Sequence, residues 1–486
     1  MKKLIYIFIS IISVIAAIIV IRTTILKAPE SSNVALPHVD IDAKKVAEHL
    51  AQAIQFQTVS AELKSNTPND QFEGFIRWLE NTYPDVHQHM SPERLGGYSM
   101  LYKFPGTKTD LPAILLSAHY DVVTVLPGTQ EGWSHPPYKG VIDETHIWGR
   151  GALDDKSGVI AIMEAASLLL AQNYQPTRTV YLSITHDEEI GGRIGTNAIV
   201  NHLKEKNVQL DWSIDEGSFL LEGFFPGVEK AIANINVAEK GMMTVNLIAK
   251  GKGGHSSIPP KETSVGVLAK AITKLESAPL SGRLEGLSGE MFDEISRYMP
   301  FEQRLFFANR WLFGSMIDDK LANISFTNAL LRTTTAPTML SASSKENVLA
   351  IEAIATVNFR IHPRDSIDDV LAHVTSVIDD DRVTVKLLGG RKASRVSSTQ
   401  SKGFNVIANT VKNTYGDVII APGLTVAGTD SRHYEKIAKD SYRFNPMVLT
   451  LNDLTKFHGS DERISIKNMV DATNFYSQLI KAGSRQ

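Results

Sequence analysis

The order strand, helix, strand between residues 113 and 185 constrains this chain more than any other feature. Ala113 to Ala118 is a short apolar run and Val180 to Thr185 is a second. Between them, Asp155 to Ala171 carries Val159, Ile160, Ile162, Met163, Ala166 and Leu170 on one broad apolar face. Short apolar runs read as buried strands and the long periodic stretch as a helix. Such alternation builds an α/β fold, a mostly parallel sheet with helices on both faces. Upstream, Ile41 to Gln55 and Phe72 to Tyr83 repeat apolar residues at helical spacing, and Tyr98 to Phe104 reads as a further strand.

The pattern changes near Ile235. Met243 to Ala249 alternates as a half-buried strand, Val265 to Leu275 reads as a helix, Ala353 to Ile361 as a strand and Ser366 to Ile378 as a helix. Strand, helix, strand, helix within an interruption predicts a small inserted α+β domain. With 486 residues, too many for one ordinary core, the expected division is a catalytic domain in two parts, 41–236 and 367–486, around an insert at 237–366. Residues 277–331 form an extra, irregular insertion bearing Tyr298, Phe301, Phe306, Phe307, Trp311 and Phe313. It reads as added core or as the wall of a pocket for an apolar substrate.

At the N-terminus, Leu4 to Ile21 is apolar except for Tyr6, Ser10 and Ser13. That is long enough to cross a hydrocarbon core of about 30 Å. The run ends in Val20-Ile21-Arg22-Thr23-Thr24, which lacks the small residues of a cleavage site. Residues 1–27 are therefore expected to be a single-pass membrane anchor, with a cleaved signal peptide as the alternative, followed by a tether at 28–40. Lys2 and Lys3 before the span favour a cytoplasmic N-terminus and a body on the outer, extracytoplasmic side.

The chain has no cysteine, which excludes thiol nucleophiles, disulfides and Cys-ligated zinc. Its net charge of -3 gives no electrostatic footprint for nucleic acid. We find no Gly-x-Ser-x-Gly elbow, phosphate loop or His-Glu-x-x-His motif. Histidines and carboxylates remain as the chemistry-bearing groups, and they gather where apolar runs end. His119-Tyr120-Asp121 closes the first strand, and residues two apart on a strand share a face. Gly149-Arg150-Gly151 leads to Asp154-Asp155 at a helix start; a helix cap needs one aspartate, not two. Glu188-Glu189 follows the second strand, and adjacent carboxylates repel unless a cation or a shared proton intervenes. Asp215-Glu216-Gly217 ends Leu210 to Ile214, and His458 stands far down the chain. Strand ends are where open α/β sheets place their sites.

His119-x-Asp121, Gly149-Arg150-Gly151-x-x-Asp154-Asp155-Lys156, Asp187-Glu188-Glu189, Asp215-Glu216-Gly217, Gly253-Gly254-His255-Ser256 and His458 together resemble peptidase family M20, the co-catalytic zinc aminoacylases and carboxypeptidases. Trp133-Ser134-His135-Pro136-Pro137 and Gly428-Thr429-Asp430-Ser431-Arg432-His433-Tyr434 are similar to the branch containing carboxypeptidase S and N-fatty-acyl-amino-acid hydrolase/synthases. The resemblance runs from about residue 43 to the end. It implies two zinc ions, with cobalt or manganese as possible occupants of the same sites. Asp154 would bridge them, His119 and Asp215 would complete one, and Glu189 and His458 the other. Asp121 would orient His119, and Glu188 would be general base and then proton donor. His255, from the insert and often from a partner copy, would hold the oxyanion, while Asn347 and Arg360 would recognise a substrate carboxylate. The insert would then be a lid and dimerisation domain.

The implied function is a dizinc metallohydrolase that cleaves an amide or peptide bond next to a free carboxylate. Two alternatives stay open. One is an N-acyl-amino-acid amidohydrolase/synthase acting on fatty-acyl amino acids. The other is an inactive binding or scaffold protein on the same fold.

Overall fold

The computed structural model describes residues 2–29, 39–60, 69–126 and 128–485. Its largest sheet runs in the order Glu93–Leu95, Ser99–Phe104, Val180–Thr185, Ala113–His119, Leu210–Asp215, Ala438–Arg443, Ile232–Glu239. Its centre is parallel: Ala113–His119 pairs in parallel with both Val180–Thr185 and Leu210–Asp215, which pairs in turn with Ala438–Arg443. Ile419–Thr425 joins the far side, parallel to Ile232–Glu239. The Ser99–Phe104 edge is antiparallel.

Alternation along the central strand explains the layers. Ile114, Leu116 and Ala118 enter one core, with the helices Ala43–Ile54, Lys156–Ala171, Lys402–Tyr415 and Ile466–Gly483 above them. Ala113 and Leu115 enter the opposite core, with Ile199, Val200 and Leu203 of the helix Gly195–Glu205. Each leucine, isoleucine or valine among them, fully removed from water, contributes roughly 1.5–3 kcal/mol. Helix starts are fixed locally: Asp42 accepts from the Lys44 and Lys45 amides, and Ser465 from the Asn468 amide. The mixed α/β architecture is thus as expected, with a central sheet between helical layers.

A second sheet is wholly antiparallel, in the order Thr334–Ser341, Glu352–Ile361, Gly241–Lys250, Val383–Arg391. The helices Ser264–Ser277 and Ile367–Ile378 pack on it through Val267, Leu268, Ala271, Val370 and Val374. Residues 367–391 stay with this second sheet, through the helix Ile367–Ile378 and the strand Val383–Arg391. Val383–Arg391 exposes most of its side chains, so its apolar pattern gives little sign of the sheet it joins.

The extra insertion is not irregular. Gly286–Ser296, Phe301–Ala308, Arg310–Ala322 and Ser325–Leu331 are all helices. The apolar residues of Arg310–Ala322 are spread around its circumference, so no face stands out in the sequence. Phe292, Ile295, Leu330 and Leu331 of the insertion pack with Ile419, Ala421 and Leu424 of the large sheet, as added core.

Lys2–Ile25 is one apolar helix of 24 residues, exposed over most of its length and buried at Thr23. Most of the expected tether, from 30 to 38, lies outside the described residues.

Candidate metal centre

The site forms where the parallel strands end, and its core is the Asp154 carboxylate. Oδ1 lies 2.9 Å from His119 Nε2, and Oδ2 lies 3.1 Å from His458 Nε2. One carboxylate therefore faces two imidazoles from opposite ends of the chain, each oxygen toward its own. Around these bonds the donors fall into two groups. Asp154, Glu189 and His458 present one set, with Glu189 Oε2 3.2 Å from His458 Nε2. His119, Glu188 and Glu216 present the other, each group spanning no more than 4.8 Å.

Local structure sets each donor. His119 closes its strand, with Nδ1 3.0 Å from the Asp121 carbonyl and 3.3 Å from Asp121 Oδ1. The Asp121 carboxylate also accepts the amides of Glu188 and Glu189, each at 3.1 Å. It therefore fixes the base candidate and its neighbour as well as the imidazole. Glu188–Ile190 is a single 3-10 turn, which sends Glu188 and Glu189 to different donor groups.

The loop carrying Asp154 is pinned from beneath by Glu462, which is fully buried. Glu462 Oε1 accepts the amides of Gly151, Leu153 and Asp154 at 3.0, 2.8 and 3.2 Å. Its Oε2 takes Arg150 Nη1 at 2.6 Å, and Arg150 Nη2 donates to the carbonyls of His458 and Gly459. Gly151, at φ 90, passes so close to Val122 that a Cβ would sit 2.9 Å from its Cγ1. His458 itself adopts φ 58, in the left-handed region.

Electrostatics show that the site is built to take positive charge. Burial and mutual repulsion push the carboxyls of Asp155, Glu188, Glu189, Asp215 and Glu216 above the ordinary range. Hydrogen bonds to Asp154 and Glu189 push His458 up to about 10. Burial opposes a charged His119, but its bonds to Asp121 and Asp154 outweigh burial and raise it well above the usual value. Glu189 Oε1 and Asp215 Oδ2 are buried without a hydrogen-bond partner. Too many acids for the protons available, imidazoles facing carboxylates, and orphaned carboxylate oxygens are what a pair of divalent cations would resolve. The hard oxygen and imidazole donors suit zinc, so the residues present fit the group the sequence implied.

The expected site residues do not all converge. His119, Asp154, Glu188, Glu189 and His458 do, with Asp121 behind them. Asp215 is buried next to the donor set, but the side chain grouped with His119 is that of Glu216. Arg360, on Glu352–Ile361, lines a cavity of about 1010 Å³ that also holds Asp154, Glu188, Glu189 and His458. His255 and Asn347 do not line it. They lie on neighbouring exposed strands of the insert, where Gly254–His255 pairs with Val348–Leu349 and the Asn347 carbonyl accepts the Ser256 amide. Sequence reasoning missed Arg391 and Arg432, which also line the cavity, and the buried Glu462. Only Arg432 had a signal, inside the motif at 428–434. The apolar wall of the cavity includes Phe219, Leu221, Phe326 and Phe457.

The profile of Peptidase family M20/M25/M40 matches residues 115–482. "Probable carboxypeptidase S-like 2" of Dictyostelium discoideum is 39% identical over 466 residues, which is 94% of this chain and 89% of that protein. The N-fatty-acyl-amino acid synthase/hydrolase PM20D1 of Mus musculus is 37% identical over 90% of this chain and 87% of its own. Among solved structures, an M20 family metallo-carboxypeptidase from Sulfolobus solfataricus superposes with a TM-score of 0.61 at 19% identity, covering 91% of this chain and all of that one. Human carnosine dipeptidase 1 gives 0.60 at 14% identity over 91% and 97%.

Proposed function

Since the chain belongs to peptidase family M20 and is a zinc-dependent hydrolase of amide or peptide bonds, we propose that it cleaves the amide next to a free carboxylate, with Glu188 moving the proton. The observation that carries this is the Asp154 carboxylate shared between His119 and His458, at the floor of a cavity lined with arginines. Asp154 would lie between two zinc ions, with Glu189 and His458 on one and His119 on the other, joined there by an acid of the Asp215-Glu216 pair. When bound, the zinc pair supplies Lewis acidity that acidifies water and polarises the amide carbonyl.

The chain's own groups do the rest. Glu188 lines the cavity beside His119, where its carboxylate can accept a proton from the attacking water. It returns that proton to the leaving nitrogen, so water and amide become an acid and an amine. Asp121 holds Glu188 in place through its amide. Arg360, with Arg391 and Arg432, offers guanidinium forks for the substrate carboxylate. His255 and Asn347, exposed on the insert and outside this chain's cavity, would be offered to the cavity of a second copy in a dimer through that domain.

A second reading, an N-acyl-amino-acid hydrolase/synthase, is favoured by the wall of Phe219, Leu221, Phe326 and Phe457, which suits an acyl chain. Relatives at similar identity bear both kinds of name. We read Lys2–Ile25 as a membrane anchor that holds the body on the extracytoplasmic side. The test is Glu188→Gln on a panel of N-terminally blocked dipeptides and fatty-acyl amino acids. Zinc content should stay at the wild-type level while turnover falls by orders of magnitude on every substrate. Unchanged turnover removes Glu188 from the reaction, and the better wild-type substrate class decides between the readings.

A further inference from the structure

The helical insertion has a side that neither the cavity nor the core uses, and the N-terminal helix emerges beside it. The last turns of Lys2–Ile25 are held firmly. Thr23 is fully buried, Arg22 Nε donates to the Ala308 carbonyl at 2.9 Å, and Asn309 Nδ2 donates to the Ile19 carbonyl at 3.2 Å and to Thr23 Oγ1 at 3.3 Å. Earlier in the helix, from Leu4 to Ile18, the large apolar side chains are exposed. The helix therefore projects from the body at Phe301–Ala308 and Arg310–Ala322, and whatever surrounds its free part begins at those helices.

At that place the insertion is unusually apolar outside. Phe301, Trp311, Leu312, Met316 and Ile324 are 41–58% exposed within one short segment. Single exposed apolar residues are ordinary, but a group beside a spanning helix is not. Trp311 lines a cleft with Ile25 and Leu26, where the helix leaves the body, and tryptophan favours the boundary between headgroups and acyl chains.

We propose that Phe301–Ala308 and Arg310–Ala322 seat in the headgroup boundary of the bilayer that the N-terminal helix enters, as a second, non-spanning membrane contact. The proposal rests on the reading of Lys2–Ile25 as an anchor. A lipid surface is the occupant because the spanning helix already brings one to these residues. The seat also reaches the site. Ring contacts run from Phe307, packed at this junction, through Phe292 at 5.8 Å, Phe225 at 5.9 Å and Phe224 at 6.1 Å to Phe326 at 5.0 Å, and Phe326 is a wall of the cavity. Continuous aromatic packing thus connects the seat to a wall of the cavity.

The absence of cysteine allows a direct test on the full chain. Single-cysteine variants Trp311→Cys, Leu312→Cys and Ile324→Cys, with Ser10→Cys in the helix and Val396→Cys as an exposed control, are spin-labelled and placed in phosphatidylcholine–phosphatidylglycerol vesicles. Hydrolytic activity equal to wild type checks folding. Collision with oxygen against a water-soluble nickel chelate reports depth. The expected result is label 10 deep in the bilayer and labels 311, 312 and 324 several-fold richer in oxygen contact than label 396. If label 10 is deep but the three behave like 396, the seat is wrong and the anchor stands. If label 10 is in water, the anchor reading falls and the seat falls with it. If the three are shielded from both quenchers, protein covers them, and the proposal is overturned.

Discussion

Glu462→Gln should damage this enzyme without touching any group that contacts substrate. The Glu462 carboxylate is fully buried and takes four donors: the amides of Gly151, Leu153 and Asp154, and the Arg150 guanidinium at 2.6 Å. Burial pushes this carboxyl up, against the pull of Arg150 and the amides, so the pair is held at a cost. The amide substitution keeps the shape and keeps an oxygen for the three backbone donors. It removes the charge and turns an N–H group toward Arg150. Breaking one side of a buried ion pair costs about 3–5 kcal/mol, because the other charge is left uncompensated. The same loss loosens both the Asp154 loop and, through Arg150 Nη2, the His458 carbonyl, so zinc affinity should fall as well. The assay is a double-mutant cycle by chemical denaturation, using wild type, Glu462→Gln, Arg150→Met and the pair together, with zinc retention measured in parallel. Each single change should cost about 3–5 kcal/mol, and the double change should cost far less than their sum, since it leaves no orphaned charge. Costs that add to within about 0.5 kcal/mol would refute the pinning argument.

Asp154→Ala should strip both metals together, because that carboxylate lies against a histidine of each donor group; elemental analysis after dialysis reads the loss, and retention of one equivalent would contradict the shared position. Asp121→Ala frees the amides of Glu188 and Glu189, so turnover should fall at least ten-fold with the substrate KM little changed; an unchanged kcat refutes the role. His362, held down to about 3 by burial, with help from Arg364 and Lys240, is neutral in the fold but titrates near 6.5 when unfolded. The stability it supports is full above pH 6.5 and drains away as pH falls toward 3, by several kcal/mol at the limit. His362→Gln should therefore flatten the loss of stability between pH 7 and 4, and parallel curves for the two proteins would refute this.

The strand ends were legible because apolar runs stop abruptly at acids and histidines: Ala118 to His119, Thr185 to Glu188, Ile214 to Asp215. The βαβ order carried the parallel sheet in the same way. His458 has no such run before it, and only the resemblance to a known family brought it in. Glu462 was invisible, because an acid in a polar loop looks solvated until the fold closes over it. The insertion's helices were lost for a different reason. Their apolar residues face the core, the cavity wall and the outside at once, so no periodicity separates them from a loop. Val383–Arg391 gave little sign of the small sheet it joins, because it is an exposed edge whose pairing with Gly241–Lys250 depends on tertiary structure.

The pairing of Leu210–Asp215 with Ala438–Arg443 has a bearing on biosynthesis. The first of these strands leaves the ribosome more than two hundred residues before its neighbour, a wait of roughly ten to fifty seconds at ordinary elongation rates. Throughout that interval an unsatisfied strand edge is on offer, and the half-built enzyme has no second imidazole. The donor set is therefore completed only by the last residues made, after the waiting edge has found its neighbour.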